Sequence, residues 1–192
     1  MTSHRRARAV STATLAASLL AAAAIALTLA GCLETDVPIA PVEQAKVNKA
    51  YVGDWQFTDD NGKVTVYRVR NFNDREYYVE VEEPDGAPAD AAAAAAGERT
   101  VGRFAAFVIP VEGADFAHTR EMRDDGELSS RYAIQRVALK DGRLELRQLS
   151  ESFFKQHDVT TSEKLRRVIE QNHDNAAMYD GSPVLGARLG GL

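Results

Sequence analysis

From Trp55 onward the chain alternates apolar and polar positions with the period of a β-strand. Val64-Thr65-Val66-Tyr67-Arg68-Val69 is one such run, and in another Tyr77, Val79 and Val81 alternate with Tyr78, Glu80 and Glu82. Period two sends one set of side chains to a core and the other to water. Asp59-Asp60-Asn61-Gly62 separates Trp55-Gln56-Phe57 from the Val64 run, and Asn-Gly between such runs is a hairpin signal. Thr100 to Ile109 is apolar on both faces around Phe104, Phe107, Val108 and Ile109, which predicts a strand buried on both sides and ended by Pro110. Arg131 to Leu139 and Arg143 to Leu149 flank a second hairpin signal, Asp141-Gly142. The period becomes helical only at 160–172. There Thr160-Thr161-Ser162-Glu163 has the spacing of a capping box, and Leu165, Val168 and Ile169 form one apolar stripe. Several short strands and one late helix predict a mainly β fold, an antiparallel barrel or sandwich with one C-terminal α-helix packed on it.

Interruptions of the pattern divide the chain. Residues 87–97 carry Pro88 and six successive alanines, Ala91 to Ala96, too few to hold an isolated helix, and they read as a low-complexity surface insertion. Leu33 to Gln44 carries Val37-Pro38 and Ala40-Pro41 without periodicity, which predicts a tether. The expected organisation is a leader over 1–31, an N-terminus and tether over 32–50, one β domain over 51–186 and a tail over 187–192.

The leader has its own pattern. Arg5, Arg6 and Arg8 precede an uncharged stretch from Val10 to Ala30, and Leu29-Ala30-Gly31-Cys32 closes it. A basic start, an apolar run and a small-residue junction make a signal peptide, whereas an uncleaved membrane span leaves the Gly31-Cys32 junction unexplained. The four closing residues resemble the lipobox of bacterial lipoproteins. That resemblance implies cleavage before Cys32, acylation of its thiol and attachment to a membrane through the acyl chains. Leu33, a residue other than Asp after the cysteine, implies sorting to the outer membrane, on the leaflet facing the periplasm. Arg5-Arg6 lacks the apolar residues a twin-arginine signal would place after it, so ordinary secretory export is the expectation.

Cleavage leaves 161 of 192 residues, enough for one core without a disulfide or metal staple, and Cys32 is the sole cysteine. It also removes three arginines and no acid, moving the formal charge from −5 to −8. An acidic domain argues against nucleic acid as a partner.

Gly53-Asp54-Trp55 resembles the Gly-x-Trp signature of lipocalin-type barrels, in which the tryptophan closes one end of the barrel and the glycine lets the chain turn beneath it. The later Thr-Asp…Tyr signature of those proteins is absent. The wider order of Cys32, a proline-bearing tether, Gly53-Asp54-Trp55 and a late helix is similar to small uncharacterised envelope lipoproteins of Gram-negative bacteria, a group that implies no activity.

Catalytic and metal signals are weak. His157-Asp158 and His173-Asp174 pair a base with a carboxylate, but neighbours on a chain rarely hold that geometry, and both stretches are polar. No His-x₃-His or Cys-x₂-Cys spacing occurs, the Asp59–Gly62 segment lacks the ligand alternation of a calcium loop, and no serine sits in a Gly-x-Ser-x-Gly elbow. The acidic cluster Glu80, Glu82, Glu83 and Asp85 reads as the guard of an edge strand. The expectation is a non-enzymatic envelope lipoprotein, without cofactor or metal, whose β domain binds a protein or a small apolar ligand. The alternatives are a lipocalin-like carrier of an apolar molecule and a hydrolase using His118 or His157.

Overall fold

The computed structural model describes residues 33–60, 62–84 and 99–190. The leader predicted over 1–31, Cys32, Asn61 and the predicted insertion 87–97 lie outside the described residues. Nine strands follow one another: β1 (Leu33–Thr35), β2 (Gly53–Thr58), β3 (Val64–Asn71), β4 (Glu76–Pro84), β5 (Arg99–Val111), β6 (Ala114–Glu121), β7 (Tyr132–Lys140), β8 (Arg143–Leu149) and β9 (Tyr179–Arg188). Two helices, α1 (Glu151–Phe154) and α2 (Ser162–Asn172), stand between β8 and β9.

Strands β2 to β8 form a meander in which each is antiparallel to the next. β9 pairs with both β8 and β2, so the eight strands close into a barrel. Of the two predicted architectures, the chain adopts the barrel. The period-two runs explain the wall: Tyr77, Val79 and Val81 are buried on the inner face of β4. Phe104, Ala106 and Val108 of β5 join that inner cluster, whereas Phe107 and Ile109 belong to a second cluster outside the barrel. The predicted double burial of β5 thus has a physical cause, because the helices and the N-terminal segment cover its outer face.

Asp141-Gly142 turns as expected, with both residues at positive φ. The β2–β3 turn is wider than a two-residue hairpin. Lys63 N–H donates to the Asp59 carboxylate at 2.8 Å, and Gly62 takes the left-handed position. Pro110 does not end β5. It pairs with Asp115 beyond the last β4 partner, Phe107, where its missing N–H faces an unpaired edge.

Four further expectations are corrected. Residues 33–50 are not a tether: Leu33 pairs with Ile134, and Leu33, Ile39, Ala40 and Ala45 are buried in the outer cluster. The tail begins after Arg188 rather than at 187, since β9 runs to that residue. β4 is not an edge strand but lies between β3 and β5, with Glu82 ion-paired to Arg68 and Glu83 to Lys63. The helix starts one residue later than the capping box predicts. Thr161, not Thr160, accepts from the Lys164 N–H, while the Thr160 hydroxyl donates to Asp158 at 2.7 Å. Leu165 and Ile169 are fully buried and Val168 packs beside them, so the stripe docks on the barrel wall. The short helix α1, capped by Ser150, had no clear sequence signal.

Candidate functional site

The two ends of the barrel differ. One end carries the short connections 72–75, 112–113 and 141–142, together with the start of β2 and the end of β9. At the other end β4 stops and β5 starts, and the longer connections 122–131 and 150–178 lie there. Residues 48–52 cross the short-turn end. Asn48 caps the single 3-10 turn Lys49–Tyr51, and its N–H donates to the Tyr77 hydroxyl at 2.6 Å. The Tyr51 hydroxyl donates to Asp115 Oδ2 at 2.6 Å, linking this crossing to the start of β6.

Trp55 sits just inside this crossing, which plugs the short-turn end, and is 1 % exposed. Its indole N–H donates to the Tyr51 carbonyl at 2.8 Å. Arg188, its partner across the β2–β9 ladder, lies 4.5 Å above the ring and donates to the Ala50 carbonyl at 2.9 Å. Gly53 makes room for this layer. A Cβ there would stand 3.2 Å from the Arg188 guanidinium, and its φ of +150° disfavours a side chain. Gly53 and Trp55 thus share one layer at the short-turn end with Arg188, the partner that sequence reading missed. Only its isolated position near the end of the chain could have suggested it.

Below the plug lies a cavity of about 70 Å³. Its wall is almost wholly apolar, formed by residues such as Val79, Ala106, Val108, Val137, Leu144 and Leu146. Most polar groups at its rim are already engaged. Tyr51 and Tyr77 are tied to Asp115 and Asn48, and Thr119 donates to the Ala133 carbonyl at 3.3 Å. Burial pushes both tyrosine hydroxyls above their ordinary pKa, with Asp115 adding to the rise at Tyr51. Among the lining residues, Gln135 makes no side-chain hydrogen bond to a described residue and is only partly buried. Its amide is therefore available to a molecule in the lumen.

The histidines among the described residues lie elsewhere. His118 is fully buried on the outer face of β6, stacked on Phe107 at 4.6 Å and edge-on to Tyr132. Its Nε2 accepts the Ile39 N–H at 3.0 Å, which fixes a neutral ring with the proton on Nδ1. Nδ1 meets no full hydrogen-bond geometry. Burial lowers the His118 pKa to about 3, with the Phe116 and Phe107 carbonyls acting weakly in the other direction. His157 is exposed against Phe153, and its neighbour Asp158 bonds Lys164 and Thr160, which hold that carboxyl below the usual range. His173 Nε2 lies 3.2 Å from Asp174, whose carboxylate is in water. The three rings stand apart from the lumen. Comparison with family models, curated proteins and solved structures finds no match.

Proposed function

We propose that this protein is a non-enzymatic, lipid-anchored envelope lipoprotein whose barrel binds a small apolar molecule in its lumen. The acyl chains on Cys32 hold it to the membrane, and the domain faces the periplasm from the outer membrane. The observation that carries the binding half is the apolar cavity inside a closed barrel, with the Gln135 amide as an unengaged polar group on its wall. Apolar walls with one convergent polar group are the usual composition of a small-molecule site.

Volume bounds the ligand. At about 70 Å³ the cavity is smaller than the roughly 150 Å³ that holds a benzene ring. A molecule of a few heavy atoms fits as the side chains stand. A longer apolar ligand enters only if half-buried residues such as Tyr67 and Leu146 move. The Trp55–Arg188 layer closes the short-turn end, so access runs from the end with the long connections.

Two measurements test the halves separately. Labelling with a clickable fatty acid should mark the wild type and not Cys32→Ser. Calorimetric titration with short alcohols should give saturable heat that Ala117→Leu, which fills the lumen, removes without unfolding the barrel. Equal labelling ends the anchor, and equal heats in both forms end the lumen site.

A further inference from the structure

We propose that the face of the barrel carrying β1, Arg131 and residues 151–160 is a membrane-docking surface, seated on zwitterionic phospholipid headgroups. The proposal rests on the acyl anchor at Cys32 and adds to it an orientation.

The argument begins with the span between anchor and fold. Leu33 is 4 % exposed and pairs with Ile134 of β7, so it is fixed in the wall. Cys32 is its covalent neighbour, and consecutive Cα atoms are about 3.8 Å apart. Acyl chains on that residue must enter the bilayer within a few ångströms of the wall. A short link of this kind favours the face around Leu33 over any other as the side turned to the lipid.

The surface at that point suits headgroups of mixed charge. Beside Leu33 lies a groove of about 400 Å³ whose rim includes Glu34, Asp36, Arg131, Lys155, His157 and Asp158. Arg131 bridges to Glu34 at 2.7 Å and Asp36 at 3.7 Å, and Lys155 to Glu151 at 2.9 Å, all on exposed side chains. Such surface pairs are weak and exchange partners easily. Their carboxylates can meet a headgroup ammonium and their cations a phosphate. Carboxylates outnumber cations around the groove, so an anionic leaflet is the poorer fit. In the ring of eight strands, β3 and β4 lie across from β7 and β8, which points the 72–75 hairpin away from the lipid.

The test uses the full acylated protein on phosphatidylcholine–phosphatidylethanolamine vesicles that carry a nitroxide on some headgroups. Acylation consumes the Cys32 thiol, so Lys155→Cys and Arg75→Cys each supply a single site for an environment-sensitive fluorophore. Both positions are exposed. Quenching should be several-fold stronger at 155 than at 75. A spacer of about 12 Gly/Ser residues between Cys32 and Leu33 spans on the order of 20 Å as a coil and should erase that contrast. Equal quenching without the spacer, or an undiminished contrast with it, overturns the docking surface. Protein that does not float with the vesicles defeats the anchor itself, a separate result.

Discussion

Arg188 lies over the Trp55 ring at 4.5 Å and reaches past it to the Ala50 carbonyl, joining the last strand, the first barrel strand and the crossing segment in one contact. It closes the barrel both along the wall and across its end. Trp55→Ala should cost about 3–5 kcal/mol in denaturant unfolding, because a fully buried aromatic leaves a cavity. Arg188→Ala should cost about 1–2 kcal/mol, and Arg188→Lys should recover little of it, since an ammonium does not stack as a planar guanidinium does. Full recovery by lysine would show that charge alone matters there.

His118 gives the stability a sign with pH. Its folded pKa is lowered to about 3, whereas the unfolded chain takes up a proton near 6.5. The unfolded state therefore binds more protons between those values. This contribution is constant above pH 6.5 and falls, by up to about 1.4 kcal/mol per pH unit, as pH drops toward 3. His118→Phe should flatten the slope between pH 6.5 and 5 in urea melts. Tyr51 acts at the alkaline end: its raised pKa means that stability falls once the unfolded tyrosine ionises above about pH 10.

The helix cap separates two neighbouring threonines. Thr161→Ala should cost about 1 kcal/mol, since Thr161 caps the Lys164 N–H, and Thr160→Ala should cost less. Leu165→Ala should exceed both, at about 2–5 kcal/mol, because its side chain is fully enclosed in the outer cluster.

Gly186 is a packing constraint on β9. A Cβ there would stand 2.5 Å from the Phe57 ring. Gly186→Ala should lower the melting temperature, and Phe57→Leu in the same chain should restore part of the loss. A Gly186→Ala protein as stable as the wild type would show that the ring moves aside freely.

Much of the barrel was legible because its strands obey period two. The β5 run announced burial on both faces through Phe104 to Ile109, and Asp141-Gly142 announced its hairpin. The N-terminal segment was not legible, because Ile39 and Ala40 are buried by packing onto the outer wall and not by any period of their own. β6 was hidden for a related reason: its outer face carries His118 and its inner face Ala117, neither of which marks a strand. The acidic residues of β4 suggested an edge only because their partners, Arg68 and Lys63, lie on or beside another strand. The lumen required closure. Val79, Val137 and Leu146 look like ordinary core positions until the β9–β2 pairing bends them around one space.

Methyl-resolved NMR shows directly whether the lumen takes up a ligand. The protein is titrated with a graded series from propanol through phenol to decanoate. Saturable shifts should appear at the methyls of Val79, Val108, Val137, Leu144 and Leu146, while Ile134, Leu165 and Ile169 of the outer cluster stay still. Lumen methyls that do not respond to any member of the series, or saturable shifts confined to the outer cluster, would contradict the lumen site.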